Sequence, residues 1–215
     1  MDEAAEFRWR WEALWRGRAA PPPAVPDQLL ALYGEAHRAY HNVTHVLACL
    51  KEAEAFFHAR SAAASFPIIA ALFFHDAIYD PQRPDNEAAS AQLAYAKLTP
   101  FVTAEERADI DRLIRVTEHK APPARPDEEV VVDIDLSILG QPPAIFDAYE
   151  QAIRKEYGFV TDDAFRKGRA AILRRFLARP GIFATDCFRG QYEAQSRVNL
   201  TRSLQILESH VPEPP

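Results

Sequence analysis

Only two cysteines, Cys49 and Cys187, occur among the 215 residues. They provide no disulfide framework and no cysteine-based metal spacing, and they suit a reducing compartment. Long apolar runs are missing as well. The stretch FPIIAALFF, Phe66 to Phe74, is about half the length needed to cross a bilayer. Nor is there an excess of positive charge: the net charge is −6 and the pI near 5.7. That balance argues against polymeric nucleic acid and anionic membranes as partners. An anionic small-molecule substrate then needs a local basic pocket or a metal. The N-terminal MDEAAEFRWRWEALWRGR lacks the basic-then-apolar order of a secretory signal. No repeat, low-complexity tract or interdomain linker is visible. The expectation is a soluble, cytoplasmic protein with one well-buried core.

What is present is helical periodicity punctuated by proline. Phe7, Trp11 and Trp15 recur at helical spacing before PPPAVP stops the segment. This aromatic helix is open to packing on its own core or on a second copy of the chain, as a homodimer. A short helix covers DQLLALYG, and a third runs from about His37 to Arg60 with Val43, Val46, Leu47 and Leu50 inward. FPIIAALFFHDAIYD, with Pro67 near its first turn and apolar all round, marks a central buried helix. Thr103 and Glu106 form a capping box ahead of the next helix. VVVDIDLSILG has strand propensity in its valines, but Val132, Leu136 and Leu139 suit a helix ending at Gly140. Three further helices follow at roughly 143–157, 162–178 and 191–209. The expected architecture is all-α, a single-domain helical bundle over residues 1–215, with a metal-site core at about 33–140 and the helices of 143–209 completing it.

The polar residues within the apolar segments carry the chemistry. YHNVTHV places His41 and His45 four residues apart, one helical turn, with His37 a turn earlier. His75 and Asp76 end the most apolar helix of the chain, and Asp133 and Asp135 lie in another apolar segment. An ionised carboxylate buried there costs several kcal/mol unless a cation compensates. A divalent cation does so, and imidazole beside carboxylate suits Zn, Mn, Fe or Mg.

The order His, His-Asp, Asp on a helical background resembles the HD superfamily of metal-dependent phosphohydrolases, in an uncharacterised bacterial branch. The resemblance covers most of the chain, from YHNVTHV through DIDLSILG. It implies an HD-type bundle with His45, His75, Asp76 and Asp135 as ligands of a divalent metal ion; Mn, Zn, Mg, Fe, Ni and Co are not distinguished. Asp133 would then orient a ligand. YHNVTH is also similar to the segment of cyclic-nucleotide phosphodiesterases that supplies one histidine to metal and another to the leaving oxygen. By that likeness His45 is the ligand and His41 the general acid, while His37 is structural. Asp76 or Asp80 would align the attacking water. Alarmone hydrolases of this superfamily carry Glu-Asp where this chain has Tyr79 and Asp80, which argues against that activity.

The implied reaction is hydrolysis of a small phosphate ester such as a nucleotide. The alternative is a non-catalytic ligand-sensing or scaffold protein with a structural metal; a two-iron oxygenase would need more ligands, with His119 the obvious source. Substrate-binding candidates are Asn86 and Glu87, which also suit capping, His119 as an extra ligand or phosphate donor, and Arg169. Arg169 shares a stripe with Phe165, Ile172 and Phe176, and an inward guanidinium demands either a carboxylate or a substrate phosphate. Arg197 already has Glu193 at pairing distance along a helix.

Overall fold

The computed structural model describes residues 2–61 and 65–209, and every regular element among them is helical. The ten α-helices are α1 (Glu3–Leu14), α2 (Ala24–Tyr33), α3 (Val43–Ala59), α4 (Phe66–Phe74), α5 (Asn86–Leu98), α6 (Ala104–Arg115), α7 (Pro126–Leu136), α8 (Pro143–Glu156), α9 (Asp162–Leu177) and α10 (Asp186–Ser209). Short 3₁₀ turns follow α6 and α7. None of these helices is long and apolar enough to cross a membrane.

The chain divides into two compact units after Asp135. The expected metal-site core of 33–140 reaches just past that boundary, and residues 143–209 lie wholly in the second unit. In the first unit α4 is the hub, packed by α1, α3, α5 and α6. Its composition explains this position. A nine-residue helix without a polar side has no face to give to water, so Ile68 and the run Ala70 to Phe74 are all buried. Pro67 sits in its first turn, where the missing N–H is no loss.

The aromatic α1 helix packs on this core. Phe7 and Trp11 meet Phe73 edge-on, with ring centroids 4.9 and 5.2 Å apart, and Trp15 meets Phe66 at 5.0 Å. Tyr33, at the end of α2, is fully buried and donates its hydroxyl to the Phe73 carbonyl at 3.1 Å. The C-terminus of α4, where His75 and Asp76 sit, is therefore fixed from two sides.

Several helix starts differ from expectation; α2 begins at Ala24 and α10 at Asp186, each a few residues earlier than expected. The third helix begins at Val43, not near His37, because Asn42 caps it: its side-chain oxygen accepts from the amides of Thr44 and His45. His37 and His41 are consequently on the turns before α3, and the three imidazoles do not form one helical row. Asn86 does not cap α5 either. Asp85 occupies that position, and Asn86 instead bonds both backbone groups of Asp80, accepting from its amide and donating to its carbonyl at 3.0 and 2.9 Å. The capping box of Thr103 and Glu106 is present on α6. VVVDIDL is helical as α7, and SILG is a 3₁₀ turn ending at Gly140.

In the second unit α9 and α10 pack together. Gly140 is required there by close approach, since a β-carbon on it would lie 2.5 Å from Cβ of Tyr192. The inward face of α9 is Arg169, Ala170, Leu173 and Phe176; Ile172, expected on that stripe, is exposed.

Candidate metal centre

Three segments of the first unit converge at one buried point. α3 contributes His45 from its first turn. The α4 C-terminus contributes His75 and Asp76, and the last turn of α7 contributes Asp135. His45 Nε2 and His75 Nε2 are 3.0 Å apart. Asp76 Oδ2 lies 3.4 Å from the first and 3.1 Å from the second. Asp135 Oδ1 lies 3.2 and 3.6 Å from the same two nitrogens. Each carboxylate oxygen thus lies 3.1–3.6 Å from both imidazole nitrogens, which are 3.0 Å apart and belong to almost wholly buried rings.

These separations fit a single cation. Metal–ligand bonds of about 2.0–2.2 Å imply donor–donor edges of about 3.0 Å at right angles and about 3.5 Å at tetrahedral angles. The tautomer of His75 fits too. Its Nδ1 lies 3.0 Å from the Leu72 carbonyl, an acceptor, so Nδ1 carries the hydrogen and Nε2 presents its lone pair to the cluster. The donor set of two imidazole nitrogens and two carboxylate oxygens suits a transition metal or zinc.

The electrostatics agree. Burial by itself would raise the carboxyls of Asp76 and Asp135, but His75 and His41 hold Asp76, and His119, His45 and His75 hold Asp135, well below the usual carboxylate range. Burial likewise opposes charge on the two imidazoles, and it is outweighed by Cys49, Tyr40 and both aspartates at His45 and by both aspartates at His75. Two Nε2 hydrogens facing each other across 3.0 Å would repel. A cation in their place removes that conflict and neutralises both carboxylates.

Around the four donors stand groups that the sequence pattern did not single out. Cys49, one turn after His45 on α3, is buried with Sγ 3.7 Å from His45 Nε2. His45, Cys49, His75 and Asp135 bring one donor atom each within 4.8 Å of one another. Arg38 is the second such group. Buried on the turn before α3, it donates to the carbonyls of His41 (2.9 Å), Asp76 (2.6 Å) and Ala77 (2.9 Å) and pairs with Glu35 at 3.0 Å. One guanidinium fork therefore ties the YHN turn to the His-Asp turn.

His119 holds Asp135. Its Nε2 lies 2.8 Å from Asp135 Oδ2, the oxygen opposite the one that faces the two histidines. It adopts left-handed backbone, φ 54°, where α6 and its 3₁₀ turn end, a conformation that histidine tolerates better than most residues. His119 thus orients Asp135 from outside the cluster, a role that was expected of Asp133, which is itself fully buried on α7 two residues before Asp135.

His41 flanks the cluster, its ring centroid 6.0 Å from that of His45, and stacks on Tyr79 at 4.1 Å. His37 bonds the Tyr79 carbonyl at 2.7 Å, which makes it a brace for that segment. Glu87, in the first turn of α5, has its carboxyl raised by burial and by the charge of Asp76, which places it in electrostatic reach of the cluster. Asp80 spends its Oδ1 on the Gln82 amide, 2.9 Å away, in a local turn. With Asn86 bound to its backbone, Asp80 shapes the loop.

Arg169 finds its anion in the second unit. It is buried, pairs with Glu150 and donates to the Tyr149 hydroxyl at 2.9 Å. Of the two anions its position demanded, a carboxylate, that of Glu150, is the partner found. Arg197 pairs with Glu193 at 2.7 Å and also donates to the Leu177 carbonyl at the end of α9 and the Arg179 carbonyl after it.

No family model, curated protein or solved structure matches the chain. The cluster's chemistry therefore carries the functional reading.

Proposed function

We propose that this chain is a metal-dependent phosphohydrolase of the HD kind, acting on a small phosphate ester. The observation that carries the reading is the convergence of Asp76 Oδ2 and Asp135 Oδ1 on the Nε2 atoms of His45 and His75, each oxygen 3.1–3.6 Å from both nitrogens, in the chain order His, His-Asp, Asp. These residues would hold one divalent ion. When bound, it would supply Lewis-acid polarisation of a phosphoryl oxygen and activation of water near neutral pH.

The chain's own residues do the rest. Tyr79 holds the His41 ring by stacking, and Arg38 holds the His41 backbone, so the imidazole is presented beside the donor cluster. From there it donates a proton to the departing alkoxide. Glu87 adds a partly buried carboxyl on the α5 side, suited to a hydroxyl of the substrate.

A non-catalytic reading draws on one observation, the Cys49 thiol beside His45, which offers a further donor and would help close the shell around an ion.

His41 separates the two. A positioned proton donor contributes about 10²–10⁴-fold, and less when the leaving group needs no proton. His41→Ala is expected to keep its metal and its fold, and to lose far more activity on an alkyl phosphate than on a nitrophenyl phosphate. Equal losses on both substrates, or loss of metal, would remove His41 from the role; no phosphatase activity in the metal-loaded wild type would favour the non-catalytic reading.

A further inference from the structure

We propose that Cys49 is a donor to the ion held by His45, His75 and Asp135, so that the resident metal is a thiophilic one, zinc or ferrous iron, in preference to magnesium or manganese. This rests on the metal-site reading above and adds to it the class of metal and a ligand outside the His, His-Asp, Asp pattern.

Cys49 follows His45 by four residues on α3, so both side chains leave the same face of the helix one turn apart. The thiol is buried, and its Sγ lies 3.7 Å from His45 Nε2 and 3.8 Å from Nδ1 of the same ring. Coordination would turn the thiol about its Cα–Cβ bond toward the Nε2 side, where a metal–sulfur bond of about 2.3 Å is the ordinary length. The same sulfur comes within 4.8 Å of the donor atoms of His75 and Asp135, two residues from other segments of the fold.

The consequence is chemical. Oxygen-and-nitrogen sites accept magnesium and manganese, whereas one thiolate shifts the preference toward softer ions.

The test uses the full-length protein stripped of metal and reloaded with Co²⁺. Wild type is expected to show visible d–d bands together with a sulfur-to-cobalt charge-transfer band in the near ultraviolet. Cys49→Ser and Cys49→Ala should keep the d–d bands and lose the charge-transfer band, and Cys187→Ala should retain both. Competition titrations should show zinc affinity falling by about 10-fold or more in the Cys49 variants, since even outer partners of metal ligands contribute about 10–100-fold. Wild-type d–d bands without the charge-transfer band would overturn the sulfur ligand and leave the metal site standing. Absence of any cobalt spectrum in wild type would overturn the metal site itself. The wild-type spectrum decides the question whether or not the variants fold.

Discussion

His119 grips the outer oxygen of Asp135 at 2.8 Å while the inner oxygen faces His45 at 3.2 Å. A carboxylate bridged in this way is held in one orientation before any ion arrives, which lowers the cost of ordering the site. Partners of this kind typically account for about 10–100-fold in metal affinity. His119→Ala is expected to weaken zinc or cobalt binding by that amount while the helical circular dichroism stays that of wild type. An unchanged dissociation constant would show that Asp135 needs no such support.

Arg38 is expected to matter to stability more than any surface arginine. It satisfies three carbonyls at the joint between the turn before α3 and the end of α4. Removing it strands buried acceptors, each at about 1–3 kcal/mol. Arg38→Met should therefore destabilise the protein by about 3 kcal/mol or more in urea unfolding. Arg38→Lys should recover little, because an ammonium lacks the fork that reaches several acceptors at once. A loss below about 1 kcal/mol for Arg38→Met would contradict the clamp.

A separate acid-sensitive element ties α6 to α7. Arg112 bonds Asp109, Asp127 and Glu128. Burial raises the Asp127 and Glu128 carboxyls, but Arg112 and backbone amides outweigh it and leave both lowered. Groups whose folded pKa is depressed add stability above their unfolded pKa, about 4, and lose it as pH falls through the lower folded value. Arg112→Met should therefore be less stable than wild type at pH 7, and the gap should close as pH drops below about 4. Because Arg112 and Asp127 are partly exposed, salt should narrow the gap as well. A gap independent of pH would assign the effect to packing.

The helices were legible because their signals are local. The Phe7, Trp11, Trp15 spacing, the capping box at Thr103 and the unbroken apolar run of α4 each act within a few residues. His45, His75, Asp76 and Asp135 stood out because ionisable groups in apolar helices call for compensation. The start of α3 was readable as well, in Asn42 before Val43, Thr44 and His45, but the row of histidines suggested a longer helix. Cys49 carried a usable signal, its position four residues after His45, which is invisible when cysteines are compared only with each other. Arg38 and Arg169 could not be read in the same way. Arg38 reaches Asp76 across 38 positions and Arg169 reaches Glu150 across 19, and such partners exist only once the helices pack.

The central claim is that His45, His75, Asp76 and Asp135 bind one ion. Metal analysis of the full-length protein after dialysis, paired with thermal unfolding before and after chelation, tests it most directly. One tightly held divalent ion per chain is expected, with a fall in Tm on chelation, because the ion binds only the folded state. His75→Ala and Asp135→Ala should each lose both the ion and that chelator sensitivity. A wild-type protein that holds no divalent ion and melts at the same temperature with or without chelator would contradict the account.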